Sequence, residues 1–85
     1  MEAVVLILHA RDNVAVVLKD ISKGQTISMP DGSEIVAISD IPYSHKVAVT
    51  DLMDGAIIYK YGEVIGKSDG EIKMGEWIHT HNMKE

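Results

Sequence analysis

Cysteine is absent from the 85 residues, which excludes a disulfide framework and any zinc site built on thiolates. Phenylalanine is absent as well, and tryptophan occurs once, at Trp77, so a core has to be assembled from aliphatic side chains. No cluster of lysine or arginine is found: 8 basic residues are scattered among 13 acidic ones, for a formal charge of -5. That balance does not offer the grouped cations that nucleic acid or an anionic membrane requires. The longest apolar run, Ala3 to Leu8, has six residues, whereas a membrane-spanning helix needs about 20. Glu2 stands where a secretory signal carries a basic region, and no small-residue cleavage site follows. The expectation is a soluble, cytoplasmic chain.

What is present points to strands. The sequence is 46% hydrophobic and 25% charged, ordinary for a globular chain, and its length suits a single domain over residues 1–85. Valine and isoleucine dominate the apolar residues; stiff at χ1, they pack well on a pleated surface. Strands are expected at Val4 to His9, Val14 to Leu18, Gln25 to Met29, Glu34 to Ile38, around Val47 to Val49, Ile57 to Tyr61, Glu63 to Ile65 and Trp77 to His81. Between the third and fourth, Pro30-Asp31-Gly32-Ser33 reads as a tight turn. Seven or eight short strands result, with helix limited to a single turn.

An internal repeat underlies this pattern. Asp20, Ile21, Gly24 and Ile27 share their spacing with Asp51, Leu52, Gly55 and Ile58, and again with Glu71, Ile72, Gly75 and Ile78. The spacing reads as a strand corner: an apolar anchor, a glycine that takes positive φ, and an isoleucine opening the next strand. Upstream of the first two copies the tripeptide Val-Ala-Val recurs, at 14–16 and 47–49.

Four histidines carry the most evident chemistry: His9, His45, His79 and His81. Two residues apart on a strand, His79 and His81 would project from one face; neutral imidazole titrates near neutrality and ligates metals. A solvated strand end is the alternative. His45 follows Pro42, Tyr43 and Ser44 and is placed to cap that turn through a ring nitrogen. His9 ends the first strand beside Arg11, Asp12 and Asn13, a loop where polar groups can converge. Tyr59 and Tyr61 would share a strand face around Lys60. Glycine-rich nucleotide loops, a nucleophile elbow and a calcium loop are all missing.

In combination, His9 with Asp12-Asn13-Val14-Ala15, Ile41-Pro42 with His45-Lys46-Val47-Ala48, Lys60-Tyr61-Gly62 with Ile65-Gly66, and Gly75-Glu76 with His79-Thr80-His81-Asn82 resemble the SAF domain of the altronate and galactarate dehydratases, over nearly the whole chain. Ser44 departs from the pattern, which has glycine before the His-Lys pair. The resemblance implies an all-β, β-clip fold of short strands joined by glycine corners. It implies a hydro-lyase reaction, in which an aldonic or aldaric acid loses water to give a 2-keto-3-deoxy sugar acid. The chain ends just after His-Thr-His-Asn, so the expected role is the small subunit of such an enzyme, beside a separate large catalytic subunit and inactive alone. A divalent cation such as iron(II) would be held mainly by that partner, with no metal ligands assigned in this chain. His79 and His81 are the expected catalytic residues; His45, Lys46, Lys60, Tyr61 and Asn82 are the expected substrate contacts. Two alternatives stand: a non-catalytic module that binds a sugar acid or stabilises its partner, and the small subunit of a sulfolactate sulfo-lyase. Homo-oligomerisation is left open.

Overall fold

The computed structural model describes residues 4–85. Nine strands follow one another: β1 (Val5–Leu6), β2 (Val14–Val17), β3 (Thr26–Ser28), β4 (Glu34–Val36), β5 (Lys46–Ala48), β6 (Ile57–Lys60), β7 (Glu63–Ser68), β8 (Trp77–Ile78) and β9 (Met83–Lys84). They form three antiparallel sheets, ordered β1-β2-β5-β8, β3-β4 and β6-β7-β9. The chain is therefore all-β, and the helical turn expected from sequence does not occur among the described residues. No helix there is long and apolar enough to cross a membrane.

The four-stranded sheet is central because both its faces are apolar. Along β2 and β5, Ala15 pairs with Val47 and Val14 with Ala48, so the two Val-Ala-Val segments lie against each other in the middle of the molecule. One face carries Val5, Ala15, Val17 and Val47 and packs on Ile27 and Ile35 of the β3-β4 hairpin. The other carries Val14, Ala48 and Ile78 and packs on Ile58 of β6 and on Leu52 and Ile72. Alternation along a strand sends successive side chains to opposite faces, so a strand of unbroken Val and Ala feeds two cores at once. Each fully buried isoleucine contributes about 1.5–3 kcal/mol of transfer free energy.

The corners hold these layers together, and there are four of them. Turns at 22–25, 42–45, 53–56 and 73–76 are each closed by the N–H of the fourth residue donating to the C=O of the first, at 2.9–3.0 Å. Their third residues, Gly24, Ser44, Gly55 and Gly75, have φ of 89°, 68°, 81° and 88°, the conformation a type II turn demands there. The corners face each other in pairs through bridges between Ile21 and Ile41 and between Leu52 and Ile72. Each third residue donates its N–H across the pair: Gly24 to Ala37, Ser44 to Val17, Gly55 to Ser68 and Gly75 to Ala48. The acidic residue of the motif works across the pair as well. Asp20, Asp40 and Asp51 accept the backbone N–H of Tyr43, Lys23 and Met74, each at 2.8 Å, while Glu71 meets Lys73 Nζ at 2.6 Å instead. A shift of 31 residues carries Asp20 and Asp40 onto Asp51 and Glu71, so the molecule is two interlocked copies of one clip.

Several strand limits differ from expectation. The first strand stops at Leu6, because Asp12 draws the N–H groups of Leu8 and His9 into a turn. The strand at Trp77 stops at Ile78, and an additional short strand, β9, follows the His79–Asn82 turn. β7 runs on to Ser68, after a register shift near Ile58 and Tyr59.

Candidate functional site

Two turns of the same design present most of the motif residues. In the first, the Asp12 N–H donates to the His9 carbonyl at 3.1 Å, and Asp12 Oδ2 accepts the N–H of His9 at 3.2 Å and of Leu8 at 3.3 Å. In the second, the Asn82 N–H donates to the His79 carbonyl at 3.1 Å, and Asn82 Oδ1 accepts the His79 N–H at 3.0 Å. Asn82 Nδ2 donates to the Trp77 carbonyl at 2.9 Å and to Glu76 Oε2 at 3.2 Å. Its amide is thereby engaged and buried, which makes Asn82 the clamp of its turn.

Lys60, Tyr61 and Gly62 reach the first turn from the β6-β7 hairpin. Lys60 lies opposite Glu63, and the two residues between them, Tyr61 and Gly62, have φ of 56° and 81°, the signature of a type I′ hairpin. Tyr61 therefore leaves the strand and does not share a face with Tyr59, contrary to the alternation reading. Lys60 Nζ sits 5.2 Å from the Tyr61 ring centre, and the Arg11 guanidinium 5.5 Å from that of Tyr59, both cation–π distances. The Gly62 N–H donates to Asp12 Oδ1 at 2.7 Å. A Cβ at Gly62, where φ is 81°, would lie 2.9 Å from the His9 ring, so a side chain there would be strained and would push that ring aside. Asn13 fastens the same hairpin, donating to the Ile57 carbonyl at 2.8 Å and accepting the Tyr59 N–H at 2.9 Å. Burial alone would raise the Asp12 pKa, but the N–H donors of Gly62, Tyr61, Leu8 and His9 outweigh it and hold the carboxyl below its ordinary range.

The other three histidines meet at the end of β5 and β8. Lys46 pairs with Ile78 and Val47 with Trp77, so His45 and His79, one step beyond the ladder, fall opposite each other with ring centres 4.6 Å apart. Trp77 links them. Its ring centre lies 5.6 Å from His45, 5.6 Å from a nearly parallel His79 and 5.0 Å from His81. The indole Nε1–H donates to His45 Nδ1 at 3.1 Å. The ring of His45 thus serves Trp77 and does not cap its turn, which the backbone closes by itself. His79 and His81 come together differently from the expected strand spacing: the chain turns after Ile78, and the turn returns His81 to the indole.

Lys46 lies within charge range of His79, and Lys60 within charge range of Lys46. Burial, and then the charge of Lys60, lowers the Lys46 pKa. The His79 pKa is lowered by burial, and then by His45, Lys46 and His81, an environment that favours the neutral imidazole. Among the described residues no group of three or more His, Asp or Glu side chains is placed to hold a metal ion; these side chains do not fit a resident divalent cation. What they offer is an edge carrying cations and imidazoles on an acidic protein, suited to a carboxylate and to proton exchange beside it.

Sequence reasoning named His45, Lys46, Lys60, His79 and His81 and passed over Trp77, the residue that touches all three imidazoles. Its single signal was to be the chain's one tryptophan, two residues before His79.

A family model described as the altronate/galactarate dehydratase SAF domain matches residues 3–85. Altronate dehydratase of Escherichia coli is 39% identical over 77 residues, which are 91% of this chain and 15% of that protein. Galactarate dehydratase (L-threo-forming) of the same organism is 41% identical over 71 residues, 84% of this chain and 13% of that one. The (2R)-sulfolactate sulfo-lyase subunit alpha of Paracoccus pantotrophus is 46% identical over 50 residues, 59% of this chain and 75% of that subunit. The chain thus spans about 15% of the length of the altronate dehydratases it matches.

Proposed function

The chain belongs to the SAF-domain family of the altronate and galactarate dehydratases, and from that premise we propose that it is the small module of a sugar-acid dehydratase, working beside a large catalytic chain. The reaction is the loss of water from an aldonic or aldaric acid. A base takes the proton next to the carboxylate, the β-hydroxyl leaves with a proton from an acid, and the enol becomes a 2-keto-3-deoxy acid. A divalent cation held by the large chain would steady the enediolate; none of this chain's residues is assigned to it.

The observation that supports the reading is the gathering of His45, His79 and His81 about Trp77, with Lys46 within charge range of His79 and Lys60 of Lys46. Lys46 and Lys60 meet a substrate carboxylate. His79, whose surroundings favour the neutral ring, takes up a proton, and the exposed His81 faces the partner, where it can protonate the departing hydroxyl. Tyr61, beside Lys60 at the hairpin tip, supplies a further contact.

The test is reconstitution with a large dehydratase chain over a panel of aldonic and aldaric acids. Replacing His79 and His81 together by Ala is expected to lower turnover at least about tenfold, some 1.4 kcal/mol of barrier; undiminished turnover would remove them from the site. A second reading has its own support. The sulfo-lyase relative is a subunit of which this chain matches 75%, and elimination of sulfite from sulfolactate needs the same placement of carboxylate, base and acid. Sulfite and pyruvate formed from sulfolactate, with no 2-keto-3-deoxy acid formed from any aldonic or aldaric acid, would select it.

A further inference from the structure

Of the imidazoles at this edge, His45 is the one whose hydrogen-bonding direction the structure fixes. Indole Nε1–H is a donor only, and it lies 3.1 Å from His45 Nδ1. That nitrogen must present its lone pair, so in the neutral ring the proton sits on Nε2. Trp77 is itself anchored: its backbone N–H donates to Ser39 Oγ at 3.0 Å, its carbonyl accepts from Asn82 Nδ2 at 2.9 Å, it pairs with Val47 across the sheet, and its side chain packs against the first core cluster. The same ring stacks on His79, with an interplanar angle of 10°.

We infer that Trp77 is a positioning residue: it holds His45 in the Nε2–H tautomer, so that His45 donates a hydrogen bond to a substrate oxygen and does not act as a base. The catalytic half of this statement rests on the proposed elimination site; the tautomer does not.

The test uses the full chain labelled with ¹⁵N. Long-range proton–nitrogen correlation is expected to show an unprotonated, pyridine-like Nδ1 in His45 at neutral pH, and a scalar coupling across the hydrogen bond from the Trp77 indole nitrogen. A protonated Nδ1, or no such coupling, overturns the inference even if no variant can be folded. Trp77→Phe keeps an aromatic ring and loses the donor; its His45 nitrogens are expected to move toward a tautomeric average, and an unchanged His45 spectrum also overturns the inference. In the reconstituted enzyme, His45→Ala is expected to lose at least fivefold in kcat/KM, and His45→Gln, which retains an outward N–H, to recover most of it. Equal losses for Ala and Gln would refute the donor role. Unaltered turnover in every His45, His79 and His81 variant, with the tautomer as described, would reject the proposed site and leave the positioning by Trp77 standing.

Discussion

Ser44 occupies a place where its three counterparts are glycines, with φ of 68°. A side chain in that region costs roughly 1–2 kcal/mol. Ser44→Gly is therefore expected to stabilise the chain by about 1 kcal/mol, raising Tm by about 4–8 °C for a domain of this size; thermal melts followed by circular dichroism would show it, and a lowered Tm would contradict the strain. Asp12, 7% exposed, is the opposite case, a side chain whose loss strands backbone donors. Asp12→Ala should cost about 1–3 kcal/mol. Because its folded pKa is lowered from an unfolded value near 3.9, its contribution is complete above about pH 4 and vanishes as pH falls through the folded value. Asp12→Asn keeps an acceptor and removes the titration, so the stability gap between it and the parent chain should narrow from pH 7 to pH 3.

Among the elements, the corners are alike in backbone and unlike in surroundings. A Cβ at Gly24 would meet nothing within 4 Å, whereas one at Gly75 would come 2.1 Å from the Val36 carbonyl oxygen. Gly24→Ala is expected to cost only the roughly 1–2 kcal/mol of a left-handed alanine. Gly75→Ala must also displace β4 and should cost distinctly more, which paired denaturant titrations would reveal. These corners also show how far sequence reaches. The three with glycine were legible from spacing, together with the strands they join. The fourth, Asp40-Ile41 through Ser44 to Val47, has the same acid, anchor and closing residue positions but hides its positive φ behind a serine. Tyr61 escaped for a like reason: nothing in a tyrosine announces a left-handed turn, so strand alternation was extended one residue too far. The His45–Trp77 bond joins positions 32 residues apart and is fixed by the register of β5 on β8, which no local pattern encodes.

For the molecule as a whole, the full 85-residue chain without a partner is expected to show no dehydration of any sugar acid. A direct assay of keto-acid formation checks this, and turnover by the chain alone would contradict the division of labour proposed for it. The two clips also bear on how the polypeptide reaches its shape. Ile21 waits for Ile41, Leu52 for Ile72, Val14 for Ala48 and Val47 for Trp77, and only the β3-β4 and β6-β7 hairpins and the β1-β2 pair bring core residues together from nearby in the chain. Closing loops of this size before the central sheet forms makes the search slow, in the millisecond-to-second range typical of non-local β topologies. The β2-β5 and β5-β8 pairings tie the two clips into one sheet, so refolding is expected to proceed in one concerted step, with single-exponential kinetics in stopped-flow refolding as the check.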